Sequence, residues 1–317
     1  MSTQTAVTLK QLRALQAVAE LGTISAAADA LGLTPPAVHN QLKILENTFE
    51  VPLLTRSGTG AFKPTLEGQI LLSCNAKVQS ALNHAVQDID ALRRGDAGLV
   101  TLGVVSTAKY FAPGIVARLR RTHPAITVRL IVGNRDEIIS GLESESIDLS
   151  IMGRPPRQPD VEAYAIGPHP HVLVADPDSA IARADTVTVD DIFRETIILR
   201  EPGSGTRILA MRILDQMGQG RTYSSIEMGS NETIKQSVIA GLGIALLSAH
   251  TIIDELGAGR LAILPVQHLP VVRQWFVLHR TDSILSGAMR TVLQEIRDNA
   301  AAMIRSDEVD AALGAST

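Results

Sequence analysis

A polar face on one predicted helix, between residues 34 and 46, could form hydrogen bonds to nucleic-acid bases. Helical spacing places Pro36, His39, Asn40 and Lys43 together, on the side away from the apolar residues of the same helix. Asparagine can pair with adenine through two hydrogen bonds, and histidine or lysine can reach guanine acceptors or phosphates. Thr34 lies at the helix start, where its hydroxyl and the free backbone N–H groups could bind a phosphate. These residues predict a helix that enters the major groove of DNA.

Two short helices and a β-hairpin are predicted to hold that helix in place. The segments Ser25–Leu31 and Pro35–Glu46 have helical patterns joined by a turn at Gly32, which is the spacing of a helix-turn-helix. Residues 52–64 then form two short extended segments around a glycine-rich turn, which we interpret as a wing that carries Arg56 and Lys63 toward a minor groove of DNA or its phosphates. Residues 1–64 are therefore predicted to form a winged helix-turn-helix domain. The alternative is a plain three-helix unit used for protein contacts.

A long helix is predicted over residues 65–94, and its apolar residues recur close to a heptad spacing. The residues of this seam are Leu71, Val78, Leu82, Ala85, Ile89 and Leu92. A solitary helix of this length cannot bury such a stripe, which predicts pairing with a second copy of the chain. Residues 1–64 carry five basic and four acidic residues, so a single domain would hold DNA weakly and a linked pair would hold it better. An ordinary core helix is the alternative.

A glycine-rich segment from Gly203 to Arg207 could bind an anion at the start of a helix. Glycines let the backbone curl, the helix start offers free N–H groups, and Arg207 adds a guanidinium with two parallel donors. Ser204, Gly205 and Thr206 are the other candidate contacts. The segment lacks the lysine and the spacing of a phosphate-binding P-loop. A turn that only caps the helix is the alternative.

Polar side chains follow three other predicted strands, and we expect them to line the same cleft. Ser106, Thr107 and Lys109 follow the first strand after the long helix, Arg154 follows the third, and Asn231 opens a helix after a later strand. Ligands of open α/β sheets bind outside the carboxyl ends of the strands. Several donors and few carboxylates favour a small anionic effector that is phosphorylated.

The elements that position this cleft alternate between strand and helix from residue 97 onward. The alternation predicts βαβ units, a largely parallel sheet and two α/β lobes. We expect lobe I over about residues 97–167 and 271–302, lobe II over about 168–270, and a flexible tail over 303–317. His169 and His171 lie near the lobe boundary and receive no role. Trp275 lies near the crossover between lobes, where ligand contact and core packing both stay open.

Composition limits the classes of protein that remain. The chain has 317 residues, 45% of them hydrophobic, which suits two or three globular domains. Its net charge of −4 is unusual for a nucleic-acid binder, and the single cysteine, Cys74, excludes an intrachain disulfide. The N-terminus lacks an apolar export signal, and the longest apolar run is too short for a membrane span. We expect a cytoplasmic protein that uses no metal, no cofactor and no membrane.

An enzyme that acts on a phosphorylated metabolite is the main alternative function. Ser204 and Thr206 could serve as nucleophiles. The sequence has no Gly-x-Ser-x-Gly and no His-Glu-x-x-His motif, and no acid–base pair lies near these two residues in the sequence. A solute-binding protein is disfavoured by the missing export signal and by the DNA module. The patterns favour a DNA-binding regulator that senses a small molecule.

The first 68 residues contain three segments, Ala26–Glu46, Pro52–Arg56 and Pro64–Gly68, that resemble the winged helix-turn-helix of LysR-type transcriptional regulators. The resemblance extends over nearly the whole chain. It implies an N-terminal all-α winged helix-turn-helix with a long linker helix, and a C-terminal two-lobed α/β effector domain of the periplasmic-binding-protein kind. It also implies promoter DNA as partner and a homodimer assembled into a homotetramer, with RNA polymerase as a further candidate. The chain departs from many members at Pro35, where they have glutamine, and at Leu54, where phenylalanine is frequent.

Four later segments resemble the regulators of Calvin-cycle carbon-fixation operons, the CbbR group. They are Arg200–Arg207, Met228–Lys235, Ala240–Ala245 and Val272–Phe276, and Thr34–Val38 agrees with them. This resemblance implies control of carbon-fixation genes. It makes ribulose bisphosphate, phosphoenolpyruvate, ATP and NADPH the candidate signals.

Overall fold

The computed structural model describes residues 7–56, 58, 60–94 and 98–314, without the side chains of residues 84, 87, 88 and 90–94. Contacts divide the chain into two compact units, Met1–Val86 and Gln87–Thr317, and each is described by itself. The first is a winged helix-turn-helix that continues into a long helix, and the second is a two-lobed α/β unit. The fold class predicted from the sequence is therefore confirmed. Over these described ranges, no helix combines the length and apolar character needed to cross a membrane.

Three helices form the core of the first unit: α1 (Leu9–Leu21), α2 (Ile24–Leu31) and α3 (Pro35–Phe49). Thr8 and Gln11 form a capping box at the start of α1, and the Thr23 hydroxyl caps α2 by accepting from Ala26 N at 3.2 Å. Gly32 ends α2 in a left-handed conformation, φ 63°, which a residue with a Cβ adopts only at a cost. These caps fix the turn between the second and third helices.

Two short strands form the wing, and the long helix follows it. β1 (Leu54–Arg56) pairs antiparallel with β2 (Phe62–Pro64), and α4 spans Leu66–Arg94. The Thr65 hydroxyl accepts a hydrogen bond from Gly68 N at 3.0 Å, which caps α4. Gly68 has no substitute there, because a Cβ at that position would lie 2.1 Å from the Leu53 carbonyl oxygen. The wing and the start of α4 are thus packed backbone to backbone.

The second unit contains nine strands with helices between them. The strands are β3 (Gly98–Val105), β4 (Ile126–Gly133), β5 (Leu149–Met152), β6 (Val161–Ala175), β7 (Ile197–Arg200), β8 (Ser225–Met228), β9 (Ala245–Ser248), β10 (Ala262–Ile263) and β11 (Val271–Arg280) within the described residues 98–314. The α-helices of the same range are α5 (Ala112–Thr122), α6 (Arg135–Glu143), α7 (Val189–Arg194), α8 (Gly205–Gly218), α9 (Asn231–Ile239), α10 (Ile253–Gly257), α11 (Gly287–Asp298), α12 (Ala300–Met303) and α13 (Ser306–Gly314).

The main sheet of this unit is mixed, which corrects the expectation of a largely parallel sheet. Its order is β10-β6-β11-β5-β3-β4, with β9 also paired to β6. β3 runs parallel to β4 and β5, whereas β6 and β11 run antiparallel to each other. The reason is that the chain leaves lobe I on β6 and returns on β11. Both strands are long because each contributes to both lobes.

Each lobe has its own aliphatic core, as the predicted two-lobed architecture requires. Leu102, Ile115 and Leu149 lie in the core of lobe I, and Leu199 and Leu247 lie in two clusters of lobe II. Burying one such side chain contributes about 1.5–3 kcal/mol. The two cores therefore stabilise the lobes separately, and the long strands connect them.

The C-terminal segment is ordered through residue 314, which corrects the expectation of a flexible tail over 303–317. Met303 and Ile304 are buried in the core of lobe I, Val309 on α13 is buried, and Leu313 packs against a core cluster of lobe II. The small and acidic composition that suggested fraying belongs to the outer face of α13. Residues 315–317 of the expected tail lie outside the described residues.

Candidate DNA-binding surface and effector cavity

The seven predicted DNA-contacting residues are all exposed on the first unit. Thr34, Pro36, His39, Asn40 and Lys43 lie along α3 or at its start, and Arg56 and Lys63 lie on the two strands of the wing. Val38, Leu42 and Leu45 of α3 are buried on the opposite face. The Thr34 side chain makes no capping hydrogen bond. The helix therefore presents its polar face outward, and the DNA contacts themselves stay a prediction.

The wing orients Arg56 through an aromatic contact. The guanidinium carbon of Arg56 lies 5.1 Å from the centre of the Phe62 ring, a cation–π distance. Lys63 pairs in register with Thr55 on the neighbouring strand. Two cations are thus held on one short hairpin, where they can reach phosphates.

The predicted pairing seam on α4 is only partly exposed. Leu71 packs against the core of its own unit and Val78 is half-buried, whereas Leu82, Ala85 and Ile89 are exposed. The side chain of Leu92, the sixth predicted contact, lies outside the described residues. Exposed apolar side chains that the heptad pattern missed are Leu66, Ile70 and Val86. Leu82 and Ile89 of the predicted seam and their neighbour Val86 form the exposed apolar stripe of α4, whereas Leu66 and Ile70 lie on another side of the helix. Pairing through this stripe stays a prediction.

A cavity of about 70 Å³ lies between the lobes of the second unit. Six of the nine predicted effector contacts line it: Ser106, Thr107, Arg154, Ser204, Gly205 and Thr206. They follow β3, β5 and β7, so the expected convergence of strand ends is present. The Ser204 hydroxyl also caps α8 by accepting from Arg207 N at 3.4 Å. Among the described residues that line the cavity there is no carboxylate.

The other three predicted contacts lie outside the cavity lining, because each has a partner elsewhere. Lys109 pairs with Glu232 at 3.3 Å, and Arg207 donates to Glu227 at 2.7 Å and to the Arg200 carbonyl oxygen. The Asn231 side chain accepts from the buried Arg200. Arg200 also donates to the Ser106 hydroxyl at 3.1 Å and to the Glu201 carboxylate. The three residues therefore connect elements beside the cavity.

Two arginines that the sequence patterns missed, Arg135 and Arg273, line the cavity together with Arg154. Burial lowers the pKa of Arg135, and the nearby Arg154 charge lowers it further. The pKa of Arg273 is lowered by burial and by the charges of Arg154, Arg212 and Arg135. Like charges destabilise one another when no anion lies between them. The Asp136 charge partly offsets the effect on Arg135, but no carboxylate lines the cavity among the described residues, so the lining suits an anion.

Main-chain oxygens hold Arg135 in position. Its guanidinium donates to the carbonyl oxygen of Arg154 at 2.5 Å and to that of Pro155 at 3.3 Å. Carbonyl groups are neutral, so they orient the side chain without cancelling its charge. Asn134 and Glu137 form a capping box at the start of α6, which fixes the backbone of Arg135. Arg135, the first residue of α6, is thus held at the cavity.

Two buried histidines and a tryptophan pack at the base of the cavity. His169 and His171 line it, and the His169 ring stacks on Trp275 with centroids 3.7 Å apart and an interplanar angle of 14°. Burial lowers the pKa of His169 far below its usual value and that of His171 to about 3. Both rings are therefore neutral at physiological pH. Trp275 is fully buried in the core of lobe I, which decides between its two open roles in favour of packing.

The comparisons with known proteins agree along the whole chain. A family model described as "Bacterial regulatory helix-turn-helix protein, lysR family" matches residues 9–69, and one described as "LysR substrate binding domain" matches residues 93–301. The "HTH-type transcriptional regulator CbbR" of Cereibacter sphaeroides is 49% identical over 292 residues, covering 92% of this chain and 94% of the relative. The regulator of the same name from Xanthobacter flavus is 45% identical over 298 residues, covering 94% and 89%.

A solved structure resembles the second unit. It is the regulatory domain of CcmR from Synechocystis PCC6803 in complex with 2-PG, 32% identical to this chain with a TM-score of 0.59. The match covers 64% of this chain and 97% of that domain. Among the described residues of the present chain, no cluster of His, Cys, Asp and Glu could hold a metal ion.

Two models of the same family match this chain, and each of the two relatives is more than 40% identical over most of its own length and of this chain. These matches agree on one family. The matched relatives are named as transcriptional regulators, which are not enzymes, so the enzyme alternative is not favoured. The chain belongs to the LysR family of bacterial transcriptional regulators.

Proposed function

We propose that this chain controls the transcription of carbon-fixation genes and that a small phosphorylated anion in the lobe cavity is its signal. The observation that carries this proposal is the group of three arginines, Arg135, Arg154 and Arg273, at a cavity without a lining carboxylate. Guanidinium groups bind phosphate and carboxylate oxygens through paired donors. An anion between the three cations would relieve their mutual repulsion.

The size of the cavity favours a compact signal. Its volume of about 70 Å³ holds about five to seven water-sized groups at about 10–15 Å³ each. That space suits a phosphorylated acid of a few carbons better than ATP or NADPH. The CcmR domain in complex with 2-PG, 2-phosphoglycolate, supports the same class of ligand.

The target genes follow from the relatives. Both CbbR regulators match along nearly their whole length, and the CbbR name denotes regulators of Calvin-cycle operons. On this basis we assign carbon-fixation promoters as the DNA partner. Because the target is chromosomal, the proposal places the chain in the cytoplasm.

Residues of both lobes line the cavity, so a bound anion would favour one arrangement of the lobes over others. Ser106 and Arg135 belong to lobe I, and Ser204 and Thr206 belong to lobe II. Coupling free energies between two sites of an allosteric protein are typically about 1–3 kcal/mol, and we expect a coupling of this size between effector and DNA. The exposed apolar stripe of α4 would pair with a second copy, giving two DNA-reading helices per dimer, and dimers would pair into a tetramer.

A footprint on a carbon-fixation promoter tests the function. We expect protection of a promoter segment, and a change in its length or in a hypersensitive position when 2-phosphoglycolate is added. An equal concentration of sulfate controls for ionic strength. A protein that protects no specific segment, with or without the phosphorylated acid, contradicts the assignment.

A further inference from the structure

His171 occupies an unusual position, because one of its ring nitrogens is fixed and the other is unpaired. Nδ1 lies 3.1 Å from the carbonyl oxygen of His169. A carbonyl oxygen only accepts hydrogen bonds, so Nδ1 must carry the proton that makes this bond. In a neutral ring, Nε2 is then a bare acceptor.

The neutral ring is the form that the cavity stabilises. His171 is 2% exposed, burial lowers its pKa to about 3, and the nearby charge of Arg273 acts in the same direction. The fixed tautomer therefore persists across the physiological pH range.

The second nitrogen belongs to a ring that borders the ligand space. The His171 ring lines the cavity, and within the described chain no side chain or main-chain group donates a hydrogen bond to Nε2. The His169 ring packs against it at 4.2 Å between centroids and is itself stacked on Trp275. These contacts hold the His171 imidazole in one orientation.

Nε2 contrasts with the charged part of the cavity. The three arginines offer donors only, which suit the oxygens of an anion. A bare imidazole nitrogen repels those oxygens and needs a donor from the ligand. A phosphorylated acid without a hydroxyl group has no such donor when it is fully ionised.

We propose that His171 Nε2 accepts a hydrogen bond from a hydroxyl group of the effector, so that the cavity selects phosphorylated hydroxy acids over phosphorylated acids that lack a hydroxyl. 2-Phosphoglycolate, which lacks a hydroxyl, then binds through the arginines alone and less tightly, so it probes only the charged part of the cavity. This role rests on the proposed function, because His171 would contact the uncharged part of the same ligand that the arginines bind. The His171 ring is thus a specificity-determining contact.

Three probes that differ at one carbon test the selection by titration calorimetry on the full chain. They are 3-phosphoglycerate, 3-phosphonooxypropanoate, which lacks the C2 hydroxyl, and the 2-fluoro analogue, in which fluorine fills the space but donates no proton. We expect 3-phosphoglycerate to bind at least about tenfold more tightly than either analogue, since an unpaired buried acceptor disfavours the ligand that lacks the donor.

Substitution locates the hydroxyl contact. His171→Phe removes the acceptor and should reduce the preference to less than about twofold while the arginines still bind all three anions. His279→Phe is the matched control, because His279 is a buried histidine whose Nδ1 also bonds a carbonyl oxygen but which lies outside the cavity lining. It should keep the full preference.

The outcomes separate this role from the proposed function. If the native chain binds none of the probes, the phosphorylated-anion signal is wrong. If it binds them with equal affinity, or binds the fluorinated probe as tightly as 3-phosphoglycerate, the anion signal stands and the acceptor role is overturned. A preference that survives in His171→Phe also overturns it. If that variant shows no cooperative melt, the fluorinated probe on the native chain decides.

Discussion

Arg135 Nη1 donates a hydrogen bond to the main-chain oxygen of Arg154 at 2.5 Å, and both residues line the cavity. The bond brings a second guanidinium beside the charge of Arg154, although the two side chains repel each other. Main-chain geometry thus holds together charges that would otherwise separate. The two guanidinium groups therefore repel each other in the ligand-free protein, and a bound anion would relieve this repulsion.

Removing one cavity arginine should weaken anion binding without unfolding the protein. Arg273→Gln removes a charge whose pKa is already lowered by burial and by its neighbours. We expect 2-phosphoglycolate affinity to fall at least about tenfold, about 1.4 kcal/mol, as for the loss of one charged hydrogen-bonding partner. The melting temperature of the ligand-free protein should stay the same or rise.

Arg129→Gln is the control, because Arg129 is exposed on β4 and is not a cavity-lining residue. Equal losses of affinity in both variants would assign the effect to overall charge. A drop in the ligand-free melting temperature of Arg273→Gln would contradict the repulsion between the cavity arginines.

Buried histidines should make the second unit less stable as pH falls below about 6.5. Burial lowers the pKa of His169, that of His171 to about 3 and that of His250 to about 4. The unfolded chain binds protons at these rings near pH 6.5, whereas the folded chain does so only at lower pH. Their contribution is therefore complete above pH 6.5 and is lost as pH falls toward the folded values.

Urea unfolding between pH 7.5 and 4.5 measures this loss. In that window, the free energy of unfolding is plotted against pH. We expect the slope of this plot to decrease by up to about 1.4 kcal/mol per pH unit when His171→Phe removes one of the three rings. Glu232, whose folded pKa is about 2, begins to lose its contribution near the unfolded pKa of glutamic acid, so it affects only the acid edge of this window. Constant stability from pH 7.5 to 4.5 would refute the histidine account.

A carboxylate on lobe II should contribute to holding the lobes together. Glu232 accepts from the Tyr110 hydroxyl at 2.5 Å and pairs with Lys109 at 3.3 Å and Lys235 at 3.0 Å. Burial opposes its ionisation, but these bonds and charges hold its pKa at about 2. We expect Glu232→Gln to lower the free energy of unfolding by about 1 kcal/mol, since the carboxylate is half-exposed.

The matched control is Glu227→Gln, which removes an exposed ion pair with Arg207 within lobe II. Its effect should stay below about 0.5 kcal/mol. Both values come from denaturant titration at equal ionic strength. If Glu232→Gln costs no more than the control, the contact between lobes is not stabilising.

Two DNA-facing residues should have different effects on recognition. Asn40→Ala should weaken binding to the operator by about 1–3 kcal/mol and relax its base preference, since asparagine reads base edges. Lys63→Ala should weaken binding to all sequences alike and reduce the slope of log affinity against log salt by about 1. Binding isotherms on operator and random DNA at several salt concentrations distinguish them. The account fails if Asn40→Ala weakens both DNAs equally.

An acidic side chain on the exposed stripe of α4 should separate paired chains. Ile89 is 57% exposed, and we expect Ile89→Asp to shift the sedimentation profile to monomer and to reduce operator affinity. Asn83→Asp is the control, because it adds the same charge at an exposed polar position of the same helix. Monomeric native chains that still bind the operator tightly would show that pairing is not required.

The sequence predicted the helix-turn-helix, the long helix and the strand ends before Ser106, Arg154 and Ser204, because caps, turns and periodicity are local signals. Arg135 was missed although it follows the end of β4 and opens α6. Lys109 and Arg207 were assigned to the cavity because a sequence does not show the carboxylates that long cations can reach. In the fold, Glu232 and Glu227 bind them.

His171 and Arg273 could not be found from local patterns. Both lie inside strands, and the face that each presents depends on how β6 pairs with β11. That register places His169 opposite Arg273 and His171 opposite Val271. Strand register is fixed by contacts distant in the sequence and by the fit of both cores. The same long-range pairing converted a predicted parallel sheet into a mixed one.

The most direct measurement of effector–DNA coupling is the affinity of 2-phosphoglycolate for the free protein and for its operator complex, together with the operator affinity with and without saturating ligand. Because linkage is reciprocal, DNA should change the affinity for the ligand by the same factor as the ligand changes the affinity for DNA. We predict a factor of about 5–150. Arg273→Gln should bind the ligand less tightly to both forms. Ligand that binds the free and DNA-bound protein equally would contradict a regulator controlled through this cavity.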